Sequence, residues 1–194
     1  MVTPPPPTHT EARRGGVIIC GTVSETIEIR TLPTLGAGEI RGLAAVLQDC
    51  VEGGASVSFM LPLTTARAES FWREVAGQVA RGEALVLGAF AAARLVGTVT
   101  LILKQPENQP HRADVAKMLV ERSARRRGIG ARLLAAVEEA ARRAGKRLLV
   151  LDTASAAAAA VYARGGWQRV GEIPDYALWP AGGLCATTVF YKRL

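Results

Sequence analysis

Hydrophobic residues recur with two different periods along the 194-residue chain, and each change of period marks a change of secondary structure. Alternating apolar and charged residues predict a first strand from residue 27 to about residue 33. Helical spacing then predicts two helices, and an almost continuously apolar stretch predicts a hairpin. The second half predicts a strand, a long amphipathic helix, a strand, a short helix and two last strands. After the first strand, the predicted ranges are 37–51, 64–81, 84–91, 94–103, 113–120, 128–144, 148–151, 156–164, 168–171 and 187–192.

This order of elements predicts a single α/β (α+β) domain built on one mixed sheet. No internal repeat and no linker divides the chain. Residues 1–15 contain four consecutive prolines and no apolar periodicity, which is typical of a flexible tail. We therefore expect a Pro-rich tail over residues 1–15 and the folded domain over residues 16–194. Residues 17–20 are a candidate short extra strand.

The composition favours a globular protein with anionic partners. Hydrophobic residues make up 49% of the chain, and 24 Lys and Arg outnumber 17 Asp and Glu, for a net charge of +7. This excess points to nucleic acid, an acidic membrane surface or a phosphate-rich cofactor. The three cysteines are far apart and form no Cys-x-x-Cys, so we expect reduced cysteines and a cytoplasmic protein. No apolar run is long enough to span a membrane, and the isolated His111 gives no reason to expect a metal site.

The most informative segment joins the predicted strand at residues 113–120 to the following helix. That helix begins at Gly128-Ile129-Gly130, where glycines allow a ligand to approach the backbone closely. Free N–H groups and the helix dipole make such a start an anion site. Arginines that could bind phosphate oxygens surround it, namely Arg122, Arg125, Arg126, Arg127 and Arg132. The segment therefore predicts a pyrophosphate site.

Other interpretations of this segment are weaker but remain open. A run of arginines can simply be a solvated basic face. A dinucleotide fingerprint would need a third glycine, and a phosphate-binding loop would need Gly-Lys-Ser/Thr; neither is present. A basic nucleic-acid-binding module is the alternative from another functional class. With 5% aromatic residues and no helix-turn-helix pattern, we do not expect nucleic acid as a partner.

Two motifs resemble the GNAT superfamily of acetyl-CoA-dependent N-acetyltransferases. Arg125-x-x-Gly128-x-Gly130 is similar to its Arg/Gln-x-x-Gly-x-Gly/Ala loop, and Tyr162 followed by Gly166-Trp167 is similar to its later Tyr and Gly-aromatic segment. The resemblance covers roughly residues 27–194 and extends to the tabtoxin-resistance type of GNAT protein. The segments similar to that type are residues 53–60, 112–115, 151–153 and 169–176. At two positions the chain departs from the family, which commonly has Pro in place of Arg122 and Gly in place of Arg126.

The resemblance implies the GNAT fold and acetyl-CoA as cosubstrate. In this fold a single mixed sheet of six to seven strands is flanked by about four helices and is splayed between the fourth and fifth strands. The strand before the glycine loop would offer its backbone N–H groups to the thioester oxygen and the pantetheine. The cofactor-binding residues implied are Leu119, Val120, Arg125, Arg126, Arg127, Gly128, Ile129, Gly130 and Ala131.

The implied reaction is direct transfer of an acetyl group to the amine of a small molecule, either amino-acid-like or an antibiotic or toxin. The family pattern places Tyr162 beside the CoA sulfur as an acid, although a tyrosine packed between helix and sheet is the alternative. Asp152 follows a buried strand, so it is the candidate base or ammonium anchor, with a cap on the next helix as the alternative. Asp114 and Glu28 are weaker candidates, and Tyr176 and Trp179 lie in a predicted loop that could line the acceptor pocket.

A third hypothesis is a protein with the same fold and the same ligand but without catalytic activity. A GNAT-fold protein could bind acyl-CoA as a sensor and catalyse nothing, because the cofactor motif is stronger than the pattern that indicates a base. We expect no membrane partner, and a homodimer is left open.

Overall fold

The computed structural model describes residues 1–2 and 26–194. Apart from Met1 and Val2, the predicted tail and the candidate strand at residues 17–20 lie outside the described residues. The elements are β1 Ile27–Leu32, α1 Ala37–Glu52, α2 Thr65–Ala80, β2 Ala84–Ala91, β3 Arg94–Ile102, β4 Arg112–Val120, α3 Ile129–Arg143, β5 Leu148–Thr153, α4 Ala156–Arg164, β6 Gln168–Leu178 and β7 Leu184–Arg193. A single 3₁₀ turn, Arg122–Ala124, precedes α3.

The seven strands form one mixed sheet in the order β1-β2-β3-β4-β5-β7-β6. All neighbours are antiparallel except β4 and β5, which run parallel. One hydrophobic core packs α1 and α2 on one face, and a second packs α3 and Tyr162 of α4 on the other. The predicted mixed sheet with four helices is confirmed. In residues 26–194, no helix combines the length and the apolar character needed to cross a bilayer.

The parallel pairing of β4 and β5 is short, and this leaves an opening in the sheet. Only residues 112–114 of β4 pair with residues 148–150 of β5, after which the two strands separate. On its other side β4 carries a bulge, where Lys117 and Met118 lie opposite the single residue Val99 of β3. Lys117 has a left-handed backbone conformation there, with φ of 48°. The predicted splay between the fourth and fifth strands is present.

The last hairpin is longer than predicted. The sequence predicted strands at residues 168–171 and 187–192 with a loop at residues 174–183, but β6 continues to Leu178 and β7 begins at Leu184. An irregularity in the pairing between Ile173 and Ala177 absorbs Pro174, which has no N–H, and Asp175, whose φ is 54°. β6 is an edge strand of the sheet, where a proline is tolerated because one side needs no partner.

β5 also differs from the prediction. It continues through Asp152 and Thr153 because both residues pair with β7. The sequence predicted a buried strand here, but its residues alternate between buried and half-buried up to Leu151, so only one face of the strand is fully buried. Asp152 is therefore a strand residue with an exposed side chain instead of the first residue after the strand.

A buried ion pair ties α3 to the last strand. The Lys192 Nζ lies 2.6 Å from Glu138 Oε2 and also donates to the Gly165 carbonyl oxygen at 2.6 Å. The other carboxylate oxygen, Glu138 Oε1, accepts a hydrogen bond of 2.8 Å from the Trp167 indole. The Glu138 side chain is 9% exposed and that of Lys192 19%, so water screens this pair poorly.

We expect Lys192→Met to destabilise the fold by about 3 kcal/mol, because the Glu138 carboxylate would remain buried without its cation. Chemical denaturation at neutral pH measures the difference. Arg73→Met is the matched control: it removes an exposed ion pair with Glu69 and should change the free energy of unfolding by less than about 0.5 kcal/mol. Equal losses in the two variants would contradict a structural role for the buried pair.

Candidate active site

A cleft of about 1050 Å³ opens where β4 and β5 separate. Its walls are the second half of β4, the loop and first turn of α3, the end of β5 with the start of α4, and the loop after α1. Of the implied cofactor-binding residues and the two main catalytic candidates, only Arg127 is not part of its lining. Those that line it are Leu119, Val120, Arg125, Arg126, Gly128, Ile129, Gly130, Ala131, Asp152 and Tyr162.

The start of α3 presents free backbone donors to the cleft. Gly128 is the N-cap in a left-handed conformation, with φ of 74°, and no side chain of the described residues caps the helix. The first helical hydrogen bond runs from the Arg132 N–H to the Gly128 carbonyl oxygen, so the N–H groups of residues 129–131 have no acceptor in the helix. A Cβ added to Gly128 or Gly130 would meet no atom within 4 Å. Open space therefore lies over these donors, as an anion site requires.

The arginines around this helix start have different structural roles. The Arg122 backbone N–H and Nε donate to the two carboxylate oxygens of Asp49 at 2.7 and 2.8 Å, which holds Arg122 against α1. Arg125 Nε donates to the Val120 carbonyl oxygen at 3.0 Å. Arg126 lines the cleft, and within the described residues its side chain has no hydrogen bond or ion pair. Of the basic residues predicted here, Arg126 is therefore the one best placed to bind an anion in the cleft.

Arg126 also has an unusual backbone. Its φ is 63°, in the left-handed region that costs a residue with a Cβ about 1–2 kcal/mol. This conformation explains why glycine is common at the corresponding position of the family that the sequence resembles. The sequence analysis did not include Arg164, which lies in the last turn of α4 and lines the same cleft.

The two predicted backbone donors of β4, Leu119 and Val120, point to opposite sides of the strand. The Glu121 N–H donates to the Val96 carbonyl oxygen of β3 at 2.9 Å. Because backbone groups of successive residues point to opposite sides of a strand, those of Leu119 also face β3, and those of Val120 and Met118 face the splay. The Val120 carbonyl oxygen accordingly bonds to Arg125 and to the Cys50 thiol instead of β3. The side chain of Leu119 is buried in the core with α1.

Tyr162 is buried and lines the cleft at the same time. Its side chain is 4% exposed, and its ring packs on Trp167 and Phe190 with centroids 5.9 and 5.8 Å away. Tyr162 therefore packs between helix and sheet and also lies in the site, so its geometry agrees with both interpretations. Burial raises the pKa of the Tyr162 phenol, and the negative charge of Asp152 raises it further. The hydroxyl therefore keeps its proton at neutral pH.

Asp152 lies on β5 at the boundary between the main cleft and a smaller one of about 330 Å³. The Thr187 hydroxyl of β7 donates to its Oδ2 at 2.7 Å, which orients the carboxylate. Asp152 does not cap α4, because the Ser155 side chain accepts the capping bond from the Ala158 N–H. The weaker candidates lie elsewhere: Asp114 is bonded to Arg112 and Gln105, and Glu28 lies near Arg30 of β1.

The loop between α1 and α2 covers the site and packs against the last hairpin. The Ser56 hydroxyl donates to the Leu178 carbonyl oxygen, and the Leu61 N–H donates to that of Pro180, both at 2.9 Å. Of the predicted acceptor-loop residues, Trp179 lines the main cleft and Tyr176 the smaller one. No sequence pattern predicted this contact, since it joins segments more than a hundred residues apart.

The sequence analysis also missed Lys117 and Cys50, which line the main cleft. Cys50 is buried on α1, and burial raises the pKa of its thiol. Lys117 enters the cleft because of the bulge in β4, and its Nζ donates to the Ser58 hydroxyl oxygen at 3.3 Å. For Cys50 the sequence predicted only a reduced cysteine, and strand alternation could not reveal a bulge at Lys117.

Comparisons with known proteins identify the family. Residues 56–167, more than half of the chain, match the family model of the Acetyltransferase (GNAT) family. An uncharacterized N-acetyltransferase from the hisH-hisA intergenic region of Azospirillum brasilense is 29% identical over 128 residues, which are 65% of this chain and 74% of that protein.

Solved structures share the fold. The ribosomal-protein-alanine N-acetyltransferase of Brucella melitensis superposes with a TM-score of 0.71 at 24% identity, over 86% of this chain and 99% of that one. A phosphinothricin acetyltransferase of Sinorhizobium meliloti, in complex with AcCoA, gives 0.73 at 16% identity, over 87% and 89% of the two chains. The resemblance to the GNAT superfamily is thus confirmed, and the chain belongs to the GNAT family of acetyltransferases.

Proposed function

We propose that this N-acetyltransferase moves the acetyl group of acetyl-CoA directly to the amine of a small molecule, with Tyr162 as acid and Asp152 as base. The observation that carries the proposal is that one cleft contains the free helix start of α3, the phenol of Tyr162 and the carboxylate of Asp152. The structure of the Sinorhizobium meliloti relative is a complex with AcCoA. A cleft between splayed strands, open at an anion site, suits an extended ligand that ends in phosphates.

The residues at the start of α3 fit the pyrophosphate of this cosubstrate. The N–H groups of residues 129–131 would donate to its oxygens, and the open space over Gly128 and Gly130 lets the phosphates approach the backbone. Arg126 and Arg164 would add charge-assisted hydrogen bonds from two sides of the cleft. Arg125, held by the Val120 carbonyl oxygen, would contribute charge and keep the loop in place.

The thioester and pantetheine would lie along β4. Since Val120 and Met118 direct their backbone groups to the splay, we assign the donor roles to these two residues and no longer to Leu119. A donor aimed at the thioester oxygen stabilises the negative charge that develops there during attack. Acetyl-CoA supplies an acetyl group that is already activated as a thioester.

Asp152 and Tyr162 would handle the protons of the reaction. Asp152 anchors the ammonium form of the acceptor and takes one proton, so that the neutral amine forms a bond to the acetyl carbon. As the carbon–sulfur bond breaks, Tyr162 donates its phenolic proton to the departing sulfur. The raised pKa of Tyr162 keeps this proton in place until that step, and the proton left on the new amide nitrogen returns through water to the phenolate.

Sequence similarity also favours a subtype, an acceptor class and a location. We assign the chain to the tabtoxin-resistance type, with an amino-acid-like, antibiotic or toxin acceptor, in the cytoplasm. The Tyr176 and Trp179 side chains, both exposed at the site, offer an amphipathic surface to such a molecule. The sensor alternative is supported by α4, whose residues 156–160 are all alanine and add no polar group to the cleft.

A charge placed at the helix start should separate cofactor binding from folding. We expect Gly130→Glu to lower the affinity for acetyl-CoA at least about tenfold, because the carboxylate would occupy the anion site, and to leave stability unchanged or higher. Calorimetric titration and thermal denaturation measure the two effects. Gly38→Glu is the matched control, since Gly38 is also the second residue of a helix with nothing within 4 Å of its Cβ. Normal affinity in Gly130→Glu would place the cofactor elsewhere.

Replacing Arg126 by glycine should raise the stability of the fold and lower its affinity for acetyl-CoA. We expect Arg126→Gly to raise the free energy of unfolding by about 1 kcal/mol because glycine adopts the left-handed conformation freely. The same change should weaken acetyl-CoA binding about tenfold by removing a charge-assisted bond. Arg126→Ala provides the comparison, as it loses the charge and keeps the strain. Denaturation and calorimetry on both variants test this prediction, which fails if Arg126→Gly binds acetyl-CoA normally.

The role of the phenol can be tested without disturbing the core. We expect Tyr162→Phe to lower kcat at least about tenfold, with acetyl-CoA affinity retained, because phenylalanine keeps the ring packing and loses only the proton donor. Tyr191→Phe serves as control, since the Tyr191 hydroxyl bonds to Gln168 away from the cleft. The assay follows release of the free CoA thiol with an amine acceptor. An unchanged kcat in Tyr162→Phe would remove this residue from the mechanism.

A further inference from the structure

Lys117 has an unusual position in this site. It lies in the bulge of β4, where its left-handed backbone takes the side chain out of the regular alternation of the strand. The residue lines the main cleft, and its Nζ bonds to Ser58, which lines the smaller cleft. Its ammonium also lies 5.5 Å from the centre of the Phe71 ring. Lys117 therefore joins the two cavities.

The ammonium of Lys117 lacks the kind of partner that the other lysines have. Lys104 pairs with Glu83 and Lys192 with Glu138, each at 2.6 Å, and Lys146 donates to two carbonyl oxygens. Within the described residues, Lys117 has only the hydroxyl of Ser58 and the face of Phe71. Burial lowers the pKa of Lys117, which the negative charge of Asp152 partly offsets. A half-buried cation without an anion is unfavourable, and a ligand anion would relieve this.

Asp152 provides the opposite charge on the facing strand. It lines both cavities and lies close enough to act on the pKa of Lys117, but the two side chains do not form an ion pair within 4 Å. Thr187 holds the carboxylate on its own side of the cleft. The gap between β4 and β5 thus separates a cation from an anion. Each has one side-chain hydrogen bond among the described residues, so Lys117 can donate further bonds and Asp152 can accept them.

A second feature supports a ligand at Lys117. Ser58, its hydrogen-bond partner, also has a left-handed backbone, with φ of 75°. A left-handed backbone is strained in a residue that has a side chain, and such strain is typical of functional positions. Here two residues with this strain, one on β4 and one in the loop after α1, bond to each other. The Ser58 hydroxyl can donate to an anion while it accepts from Lys117. Phe59 and Tyr176 complete the smaller cavity next to this pair.

Resting on the acetyl transfer proposed above, we propose that the acceptor is an amine that also carries a carboxylate. The Lys117 ammonium and the Ser58 hydroxyl bind this carboxylate, while the amine lies at Asp152 and is acetylated. The side chain of the acceptor occupies the smaller cavity beside Phe59 and Tyr176. A charge-assisted hydrogen bond of this kind typically contributes enough to change affinity by about tenfold or more.

The test compares matched acceptors with and without the carboxylate. A panel of L-amino acids and the corresponding decarboxylated amines is assayed with saturating acetyl-CoA, following release of the free CoA thiol. For the acceptors that react, we expect kcat/KM to be at least about tenfold higher for the amino acid than for its decarboxylated partner. Equal kcat/KM values for the two members of a pair would overturn the proposal.

Variants assign the preference to Lys117. Lys117→Met should bring the ratio of kcat/KM values close to one, with acetyl-CoA affinity unchanged, whereas Lys117→Arg should keep the preference. Lys117→Glu should reverse it toward diamines. Lys104→Met, which removes an exposed lysine paired with Glu83, is the control and should behave as the unchanged protein. A full preference in Lys117→Met would overturn the assignment of the anion site.

The same experiment separates failure of the inference from failure of the proposed function. If acetyl-CoA does not bind in the calorimeter, or no amine of the panel releases thiol, the acetyl transfer and the inference both fail. If amines react without regard to the carboxylate, the transfer stands and the anion site at Lys117 is wrong. A reduced acetyl-CoA affinity in Lys117→Met would place this lysine at the cofactor and would also contradict the inference.

Discussion

Parallel pairing between β4 and β5 stops after three residue pairs, and the site depends on this limit. Buried backbone donors and acceptors need partners, so two strands that separate within a sheet leave polar groups on the facing walls of the gap. Each strand stays extended because its other edge remains paired, β4 with β3 and β5 with β7. The gap is therefore a stable part of the fold, and an extended ligand can make the hydrogen bonds that the missing pairs would have made.

The charges of the cleft are arranged along this gap. At the end where α3 begins, free N–H groups and Arg126 create a positive region. Toward β6 and β7 the cleft instead contains one carboxylate, Asp152, and one ammonium, Lys117. The number of arginines in the sequence overestimates the positive charge that this first region offers to a ligand. Arg122 is neutralised by Asp49, and Arg132 donates to the Ile27 carbonyl oxygen. Local ion pairs thus decide which basic residues remain available to a ligand.

Features set by short segments could be predicted from the sequence. The glycine loop and α3 follow from residues 128–143 alone, and the ends of β2 and α4 agree with the prediction to the residue. Features set by distant segments could not. The Thr187 bond that orients Asp152 joins residues 35 positions apart, and the bulge that brings Lys117 into the cleft depends on the register between β3 and β4. Pro174 indicated a strand end, but its position on an edge strand allowed β6 to continue.

The position of Tyr162 depends on elements other than its own helix. α4 has nine residues, mostly alanine, and such a short helix has little stability of its own. The phenol ring is held between Trp167 and Phe190, and the Trp167 indole is fixed by Glu138 of α3. Glu138 is in turn held by Lys192, which itself pairs with Leu149 of β5. The buried ion pair thus connects the helix that begins at the glycine loop, the wall that carries Asp152 and the phenol, so the three parts of the site are positioned by one packed unit.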